Sequence, residues 1–221
     1  MPPADLPQFV LFGGSFNPVH TAHVEIARQL AALPGVAQVL VIPTGQSPFK
    51  PGAPHLPADL RYRMVSAAMA GVPGCTVLDM ELRRPPPSYT VDTVAQLQAA
   101  YPQARLWVAM GMDVFDSYAA WHQAGALLGM AGLLVFGRQG VGEPALLPNK
   151  LPAPWEVRCQ READGHLVDD TGRRVAWAVP IHVPAVAASD LLRTRDLTHV
   201  PPAARPLLET YWREHKTAGG P

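Results

Sequence analysis

The hydrophobic pattern of the chain consists of short apolar runs separated by longer segments in which apolar residues recur every three or four positions. Short apolar runs that end at glycine or proline are typical of strands buried on both faces of a sheet. A polar turn at 169–172 predicts a hairpin, while the rest of 139–176 has no clear pattern. The pattern predicts six strands, at residues 9–12, 39–42, 75–78, 106–110, 133–136 and 177–183.

Helices are predicted in the longer segments between these strands. Thr21 and Thr90 are each expected to cap a helix, and another helix is expected around Leu60 and Met64, closed by Gly71. Helices that alternate with buried strands predict a parallel sheet covered on both faces. With right-handed crossovers, the expected fold class is a Rossmann-like, doubly wound α/β sheet.

The length of 221 residues fits one α/β domain with a complete hydrophobic core. We therefore predict a single domain over the whole chain. Within it, the core is expected at about 9–195, a small C-terminal helical segment at 196–216 and a frayed tail at 217–221.

Composition narrows the classes of function. The chain has 18 Lys and Arg against 18 Asp and Glu, so it lacks the basic surface expected of a dedicated nucleic-acid binder. Its two cysteines, Cys75 and Cys159, form no CxxC pair, which argues against a disulfide framework or structural zinc site and favours the reducing cytoplasm. The N-terminus shows no signal-peptide pattern, and the longest apolar stretch, 124–137, is too short to span a bilayer, so no membrane partner is predicted.

Residues suited to ligand chemistry lie mainly after the predicted strands. In a doubly wound sheet, ligands bind beyond the carboxyl ends of the strands. Residues 13–23 follow the first strand, 43–50 the second and 111–113 the fourth, while Arg138 follows the fifth. Segments far apart in sequence are therefore expected to meet at one edge of the sheet and form a ligand site there.

The segment 13–23 has the sequence GGSFNPVHTAH. Gly13 and Gly14 allow the backbone to approach a ligand closely. His20 and His23 flank a helix start, where backbone N–H groups and the helix dipole favour anions, so the segment predicts a polyphosphate site. Two alternatives stay open: a capped glycine turn with two partly exposed histidines, or an HxxH metal pair for which no third ligand is evident.

GGSFNPVHTAH resembles the signature of the nucleotidyltransferase superfamily that carries the (T/H)xGH motif. Further segments resemble bacterial nicotinate mononucleotide adenylyltransferases: 88–93 (SYTVDT) is similar to SYTxDT, 111–113 with Trp121 is similar to GxD…W, and Arg138 matches the arginine after the fifth strand. Order and spacing agree from the first strand to Arg138, with a weaker match near Arg193, so the resemblance covers most of the chain. SYTxDT is the most specific motif, since phosphopantetheine adenylyltransferases and cytidylyltransferases share the Gly-His motif.

The resemblance implies a reaction in which the 5′-phosphate of nicotinate mononucleotide attacks the α-phosphorus of ATP and pyrophosphate leaves. The product, nicotinate adenine dinucleotide, belongs to NAD biosynthesis. Mg²⁺ is implied as a cofactor that arrives with ATP rather than at a dedicated protein metal site. Because the attacking phosphate is already anionic, the protein need only align the two reactants and neutralise charge.

The residues implied by the resemblance fall into three groups. The catalytic, charge-neutralising group is His20, His23, Lys50 and Arg193. The ATP-binding group is Gly13, Gly14, Ser15, Phe16, His20, His23, Gly111, Asp113, Arg138, Ser189 and Arg193. The mononucleotide-binding group is Asn17, Lys50, Ser88, Tyr89, Thr90 and Trp121. Structural alternatives stay open for four of them: Lys50 as a solvated loop lysine, Thr90 as an ordinary cap, Trp121 as a core residue and Asp113 as a helix cap.

The chain departs from the family pattern at three positions. In 187–193, which aligns with the family's ISSTxIR, Asp190 replaces threonine, and we expect it to cap its helix while Arg193 contacts the phosphates. Phe49 replaces the histidine of a PPHK-like loop, and His122 replaces a second aromatic residue. These departures keep two other functions open: a related transferase with another acceptor, such as nicotinamide mononucleotide or phosphopantetheine, and a nucleotide-binding regulatory protein without catalysis. A homo-oligomer is also compatible with the sequence.

Overall fold

The structure is a computed structural model, which describes residues 6–45, 56–137, 146–181, 183 and 186–215. The described part contains one sheet of eight strands. In chain order these are β1 (Gln8–Gly14), β2 (Val36–Pro43), β3 (Cys75–Val77), β4 (Arg105–Gly111), β5 (Gly132–Phe136), β6 (Cys159–Arg161), β7 (Leu167–Asp169) and β8 (Arg174–Val179). Their spatial order is β3-β2-β1-β4-β5-β8-β7-β6.

The sheet is parallel over most of its width and antiparallel at one edge. β1 lies between β2 and β4 and pairs with both in parallel, with Val10 opposite Val39 on one side and Trp107 on the other. β8 pairs in parallel with β5, whereas β7 runs antiparallel to both β8 and β6. The chain builds outward from β1 to β3 and then continues on the other side with β4, so the strand order reverses between β1 and β4. Doubly wound sheets bind their ligands at this reversal point.

Helices cover both faces of the sheet. They are α1 (Thr21–Ala31), α2 (Ala58–Met69), α3 (Thr90–Ala100), α4 (Met112–Phe115), α5 (Ala124–Met130), α6 (Trp155–Arg158), α7 (Ala188–Thr194) and α8 (Arg205–Glu214). Val10 and Val39 pack in one core with α1, α2 and α8, while Leu11 and Leu40 pack in a second core with α3 and α5. Successive strand residues point to opposite faces, so a strand buried on both sides is apolar at every position.

The predicted fold class is confirmed, with corrections towards the C-terminus. The strand predicted at 177–183 is β8, which begins at Arg174 and ends at Val179. The poorly patterned stretch before it contains α6, β6 and β7. The hairpin turn predicted at 169–172 is confirmed: it joins β7 to β8, and Gly172 adopts a φ of 77° there, which favours glycine. None of the described helices is long and apolar enough to cross a membrane.

Thr21 and Thr90 are not the caps of their helices, contrary to the prediction. Each is the first helical residue, and the N-caps are His20 and Tyr89, whose backbones are extended. The N–H of Thr21 donates instead to the carbonyl of His199 at 2.8 Å. Threonine is favoured at N-caps by its side-chain oxygen, but here the chain turns one residue earlier. The shift places His20 and Tyr89 where the helices face the carboxyl ends of the strands.

Candidate active site

A cavity of about 880 Å³ opens at the carboxyl ends of the central strands. Its walls come from the ends of β1, β2 and β4, from the starts of α1 and α3, and from the segments around Trp121 and before α7. This volume is at the upper end of the usual range for small-molecule sites, roughly 300–1,000 Å³. The predicted site residues in its lining are Gly13, Gly14, Ser15, Asn17, His20, His23, Ser88, Tyr89, Thr90, Gly111, Asp113, Trp121 and Ser189.

The glycine-rich loop after β1 forms one wall of the cavity. A Cβ atom on Gly14 would stand 3.3 Å from the ring of Phe16, so the loop folds tightly over that ring. Phe16 has a φ of 44°, and its side chain is 1% exposed and packs edge-on against Phe12 and His23. The ring of Phe16 belongs to the core and is not among the described residues of the lining, and the predicted ATP contact of Phe16 stays a prediction. Only the backbone of Phe16 is left for a ligand contact.

Two histidines stack at the start of α1 and line the cavity. The ring centroids of His20 and His23 are 3.6 Å apart, with an interplanar angle of 20°. The backbone N–H of His20 donates to Nδ1 of His23 at 3.2 Å, so the third helical residue reaches back to the cap position. Since Nδ1 of His23 is an acceptor, the neutral ring carries its proton on Nε2 and presents a donor there.

A second wall carries aromatic side chains. Tyr89 stacks on His122, with ring centroids 4.1 Å apart. Trp121 packs beside the buried ring of Tyr118 at 5.4 Å and also lines the cavity. Nε2 of His122 accepts a hydrogen bond from the side-chain amide of Gln123 at 3.1 Å, which leaves the proton of the neutral ring on Nδ1. The wall therefore combines aromatic faces with a hydrogen-bond donor.

Glu81 lines the cavity and was not predicted from the sequence. Its carboxylate is buried and accepts from Thr93 Oγ1 at 2.7 Å, and its backbone carbonyl accepts from Ser88 Oγ at 3.4 Å. Burial raises the pKa of Glu81, while the hydrogen bond from Thr93 and the nearby Arg84 act to lower it. Both hydroxyl donors belong to the SYTVDT segment, so that motif anchors the backbone and the buried carboxyl of Glu81 as well as lining the cavity.

Arg61, on α2, is a second residue that the sequence did not predict. It is only 2% exposed, although arginine in an amphipathic helix usually lies in solvent. The pattern of Leu60 and Met64 identified the helix correctly but contained no feature that marked the neighbouring arginine as buried.

The second phosphate motif differs from its prediction. Ser189 lines the cavity, but Arg193 is 71% exposed and is not among the described residues of the lining. Nη2 of Arg193 lies 3.1 Å from Oδ1 of Asp190. The N-cap of α7 is Ala187, with no side-chain cap, so the expected capping by Asp190 is wrong. The carboxylate instead pairs with Arg193 at the surface.

The remaining predicted residues divide between structural and open roles. Asp113 lies in the first turn of α4, whose N-cap is Gly111, so the alternative of Asp113 as a cap is wrong and its ribose contact stays a prediction. Oδ1 of Asn17 accepts the N–H of Leu56 at 2.8 Å. The predicted residues Lys50 and Arg138 lie outside the described residues. Among the described residues, no group of three His, Cys, Asp or Glu side chains is placed to hold a metal ion.

A doubly wound sheet whose strand order reverses beside a glycine-rich loop and two helix-start histidines is the architecture of a nucleotidyltransferase. A family model described as cytidylyltransferase-like matches residues 11–186. A protein of Laribacter hongkongensis, named "Probable nicotinate-nucleotide adenylyltransferase", is 37% identical over 199 residues, which cover 88% of this chain and 89% of that protein. A protein of the same name from Geobacter sulfurreducens is 32% identical over 210 residues, 93% of this chain and 95% of that protein. The chain belongs to the cytidylyltransferase-like family and, within it, to the nicotinate-nucleotide adenylyltransferases.

A solved structure agrees on the fold. Plasmodium falciparum nicotinic acid mononucleotide adenylyltransferase complexed with NaAD matches with a TM-score of 0.68, over 93% of this chain and 96% of that chain. At 12% sequence identity, the likeness shows a shared fold. The family resemblance predicted from the motifs is confirmed by the family model and by the curated relatives.

Proposed function

We propose that the protein transfers AMP from ATP to nicotinate mononucleotide, forming nicotinate adenine dinucleotide and releasing pyrophosphate, as a step in NAD biosynthesis. The observation that carries the proposal is the single cavity that joins the stacked histidines to the aromatic wall of Tyr89 and Trp121. Its volume of about 880 Å³ suits two nucleotide-sized substrates side by side. The names of the curated relatives support the same reaction.

The phosphates of ATP would bind at the start of α1. The first N–H groups of a helix have no partner within the helix, and the dipole adds positive potential there. Nε2–H of His23 would contribute a side-chain donor, with His20 stacked beside it. Gly13 and Gly14 carry no Cβ atoms, so the phosphates can approach the backbone. Asp113, in the first turn of α4 just after β4, would face the ribose.

The mononucleotide would bind against the second wall. Trp121 offers an aromatic face to the electron-poor pyridine ring. The carboxylate of nicotinate would lie near Thr90, at the start of α3, where first-turn N–H groups favour an anion. His122, with its proton on Nδ1, would be a further donor on this wall.

The proposed chemistry needs no protein nucleophile. An oxygen of the mononucleotide 5′-phosphate forms a bond to the α-phosphorus of ATP, and the bond from that phosphorus to the oxygen bridging to the β-phosphate breaks. The electron pair leaves with pyrophosphate, so negative charge grows on the leaving group. His20 and His23 would stabilise that charge by hydrogen bonding, and alignment of the two reactants would supply the remaining rate enhancement.

Mg²⁺ is proposed to enter with the phosphates of ATP. It prefers oxygen ligands, keeps several waters and is commonly bound through substrate phosphates. The histidines of the described lining would donate hydrogen bonds to some phosphate oxygens and leave the others to Mg²⁺. When bound, Mg²⁺ would neutralise phosphate charge.

Lys50 and Arg138 are proposed to add positive charge around the phosphates. A cytoplasmic location is proposed because Cys75 and Cys159 are free thiols.

Pyrophosphate release tests the proposal. The protein would be given ATP, Mg²⁺ and one acceptor at a time: nicotinate mononucleotide, nicotinamide mononucleotide or phosphopantetheine. We expect the highest kcat/KM with nicotinate mononucleotide. Faster release with phosphopantetheine would show that the acceptor is different. Tight ATP binding without release in any mixture would favour a regulatory protein, the alternative supported by the exposed Arg193–Asp190 pair.

A further inference from the structure

A buried guanidinium joins three segments of chain beside the cavity. Nη1 of Arg61 donates to the carbonyl of Ser15 at 2.7 Å and to the carbonyl of Thr44 at 2.8 Å. Nη2 donates to the carbonyl of Gly45 at 3.1 Å, and Nε donates to the carbonyl of Leu56 at 3.2 Å. Four hydrogen bonds from one side chain therefore end on backbone carbonyls.

The acceptors of Arg61 belong to loops that build the phosphate end of the cavity. Ser15 lies in the glycine-rich loop after β1, and Thr44 follows the last residue of β2; both line the cavity. Leu56 precedes α2, and its N–H also donates to Asn17 in the glycine-rich loop. The guanidinium of Arg61 has fixed donor directions, so it sets the distance between the two loops and ties both of them to α2.

Fold stability alone is a weak explanation for this cation. Within the described residues, Arg61 forms no ion pair, so its charge is balanced by carbonyl dipoles. Burial of a charge without an ionic partner is costly, and burial lowers the pKa of Arg61. A polyphosphate bound between Ser15 and Thr44 would supply the missing negative charge nearby. A bound anion therefore explains both the buried cation and the fixed spacing of the two loops better than packing of the core alone.

We propose that Arg61 is a positioning residue for phosphate binding, which holds Ser15 and Thr44 on two separate loops at the spacing that the triphosphate of ATP requires. Arg61 does not touch the nucleotide. The proposal rests on the proposed function, because that function places the triphosphate at this end of the cavity. It adds a residue on α2, outside the cavity lining, to the determinants of ATP affinity.

Direct binding measurements separate positioning from general stability. Calorimetry on the full-length protein would give the affinities for inorganic pyrophosphate and for adenosine. Arg61→Lys keeps the charge, but Nζ ends one bond short of the Nη atoms and cannot hold all four carbonyls. Arg63→Met is the matched control, because Arg63 lies two residues further along α2, is exposed and pairs only at the surface with Asp59 at 3.5 Å.

We expect Arg61→Lys to weaken pyrophosphate binding by about tenfold while adenosine affinity changes by less than about twofold. Arg63→Met should leave both affinities unchanged. Unchanged pyrophosphate affinity in folded Arg61→Lys, or an equal loss for adenosine, would overturn the proposal.

A double-mutant cycle with Ser15 tests the route of the effect. If Arg61 acts by holding Ser15, then Ser15→Ala should raise the KM for ATP less in the Arg61→Lys background than in the wild type. Strictly additive effects would overturn the proposed route. The proposed function has its own test: a wild-type protein that binds pyrophosphate but gives no transfer to nicotinate mononucleotide refutes the acceptor and leaves the role of Arg61 standing.

Discussion

Replacing His23 with asparagine separates the two functions that the structure gives to its ring. Nδ1 accepts the backbone N–H of His20 at 3.2 Å, and the neutral ring then carries its proton on Nε2. Asparagine places Oδ1 near the position of Nδ1 and can keep the first hydrogen bond, but it has no atom at the position of Nε2. Alanine loses both groups. The stacking contact with His20 is lost in both variants, so it cancels when the two are compared.

The magnitudes follow from the two lost interactions. Loss of one preorganised donor to developing charge typically lowers kcat by about 10²–10³-fold, and we expect this in both variants. Loss of an N-terminal cap costs about 0.5–2 kcal/mol, which corresponds to roughly 2–4 °C per kcal/mol in a domain of this size. Both variants should fold, and His23→Ala should melt several degrees below His23→Asn.

Steady-state kinetics and thermal melting on the same preparations make the comparison. His215→Asn is the control, since His215 is an exposed histidine at the end of α8, stacked on Tyr211, and should change neither quantity. A near-wild-type kcat for His23→Asn would refute the role of Nε2–H in catalysis. Equal melting temperatures for the asparagine and alanine variants would refute the capping role of Nδ1.

The kcat/KM for nicotinate mononucleotide should exceed that for nicotinamide mononucleotide by at least about tenfold. The start of α3 favours an anion by about 0.3–2 kcal/mol, and an amide would leave a buried donor unpaired at a cost of about 1–3 kcal/mol. Equal values would contradict the proposed binding of the mononucleotide against the second wall. Asp190→Thr should lower the KM for ATP by up to about fivefold, because it releases Arg193 from an exposed pair worth at most about 1 kcal/mol; a raised KM would show that the carboxylate assists ATP binding. Burial alone would raise the pKa of Asp169, but hydrogen bonds from Thr171 and Arg173 lower it to about 2 from 3.8. Because the folded-state pKa is depressed, the stability contributed by the ionised Asp169 is present above pH 3.8 and is lost as the pH falls towards 2. Asp169→Asn should therefore flatten the decline in melting temperature over that range. A decline as steep as that of the wild type would contradict this role of Asp169.

The parallel part of the sheet could be predicted because burial on both faces leaves a strong pattern. The apolar runs of β1, β2, β4 and β5 end at glycine or proline, whereas that of β3 ends at Leu78 before Asp79. The structure places all five strands within a few residues of the predicted positions. At the antiparallel edge, β6 carries the exposed polar residues Gln160 and Arg161, and β7 is only three residues long. Their pattern is too weak to distinguish them from loops.

The residues of the candidate site also separate into those that the sequence could predict and those that it could not. Residues carried by contiguous motifs, such as His20, His23 and Tyr89, could be identified because the motif itself places them after a strand. Glu81 and Arg61 could not, because their roles depend on hydrogen bonds to residues 12 and 46 positions away in sequence. The expected cap at Asp190 failed for a local reason: cap preference competes with an ion pair three residues along the helix, and here the ion pair forms.

Isotope tracing tests the central claim of AMP transfer most directly. Nicotinate mononucleotide labelled with ¹⁸O in its phosphate would be incubated with the protein, unlabelled ATP and Mg²⁺, and the products would be analysed by mass spectrometry. Direct attack of the mononucleotide phosphate on the α-phosphorus predicts that all of the label appears in nicotinate adenine dinucleotide and none in pyrophosphate. Label in pyrophosphate, or consumption of ATP without formation of the dinucleotide, would contradict the account.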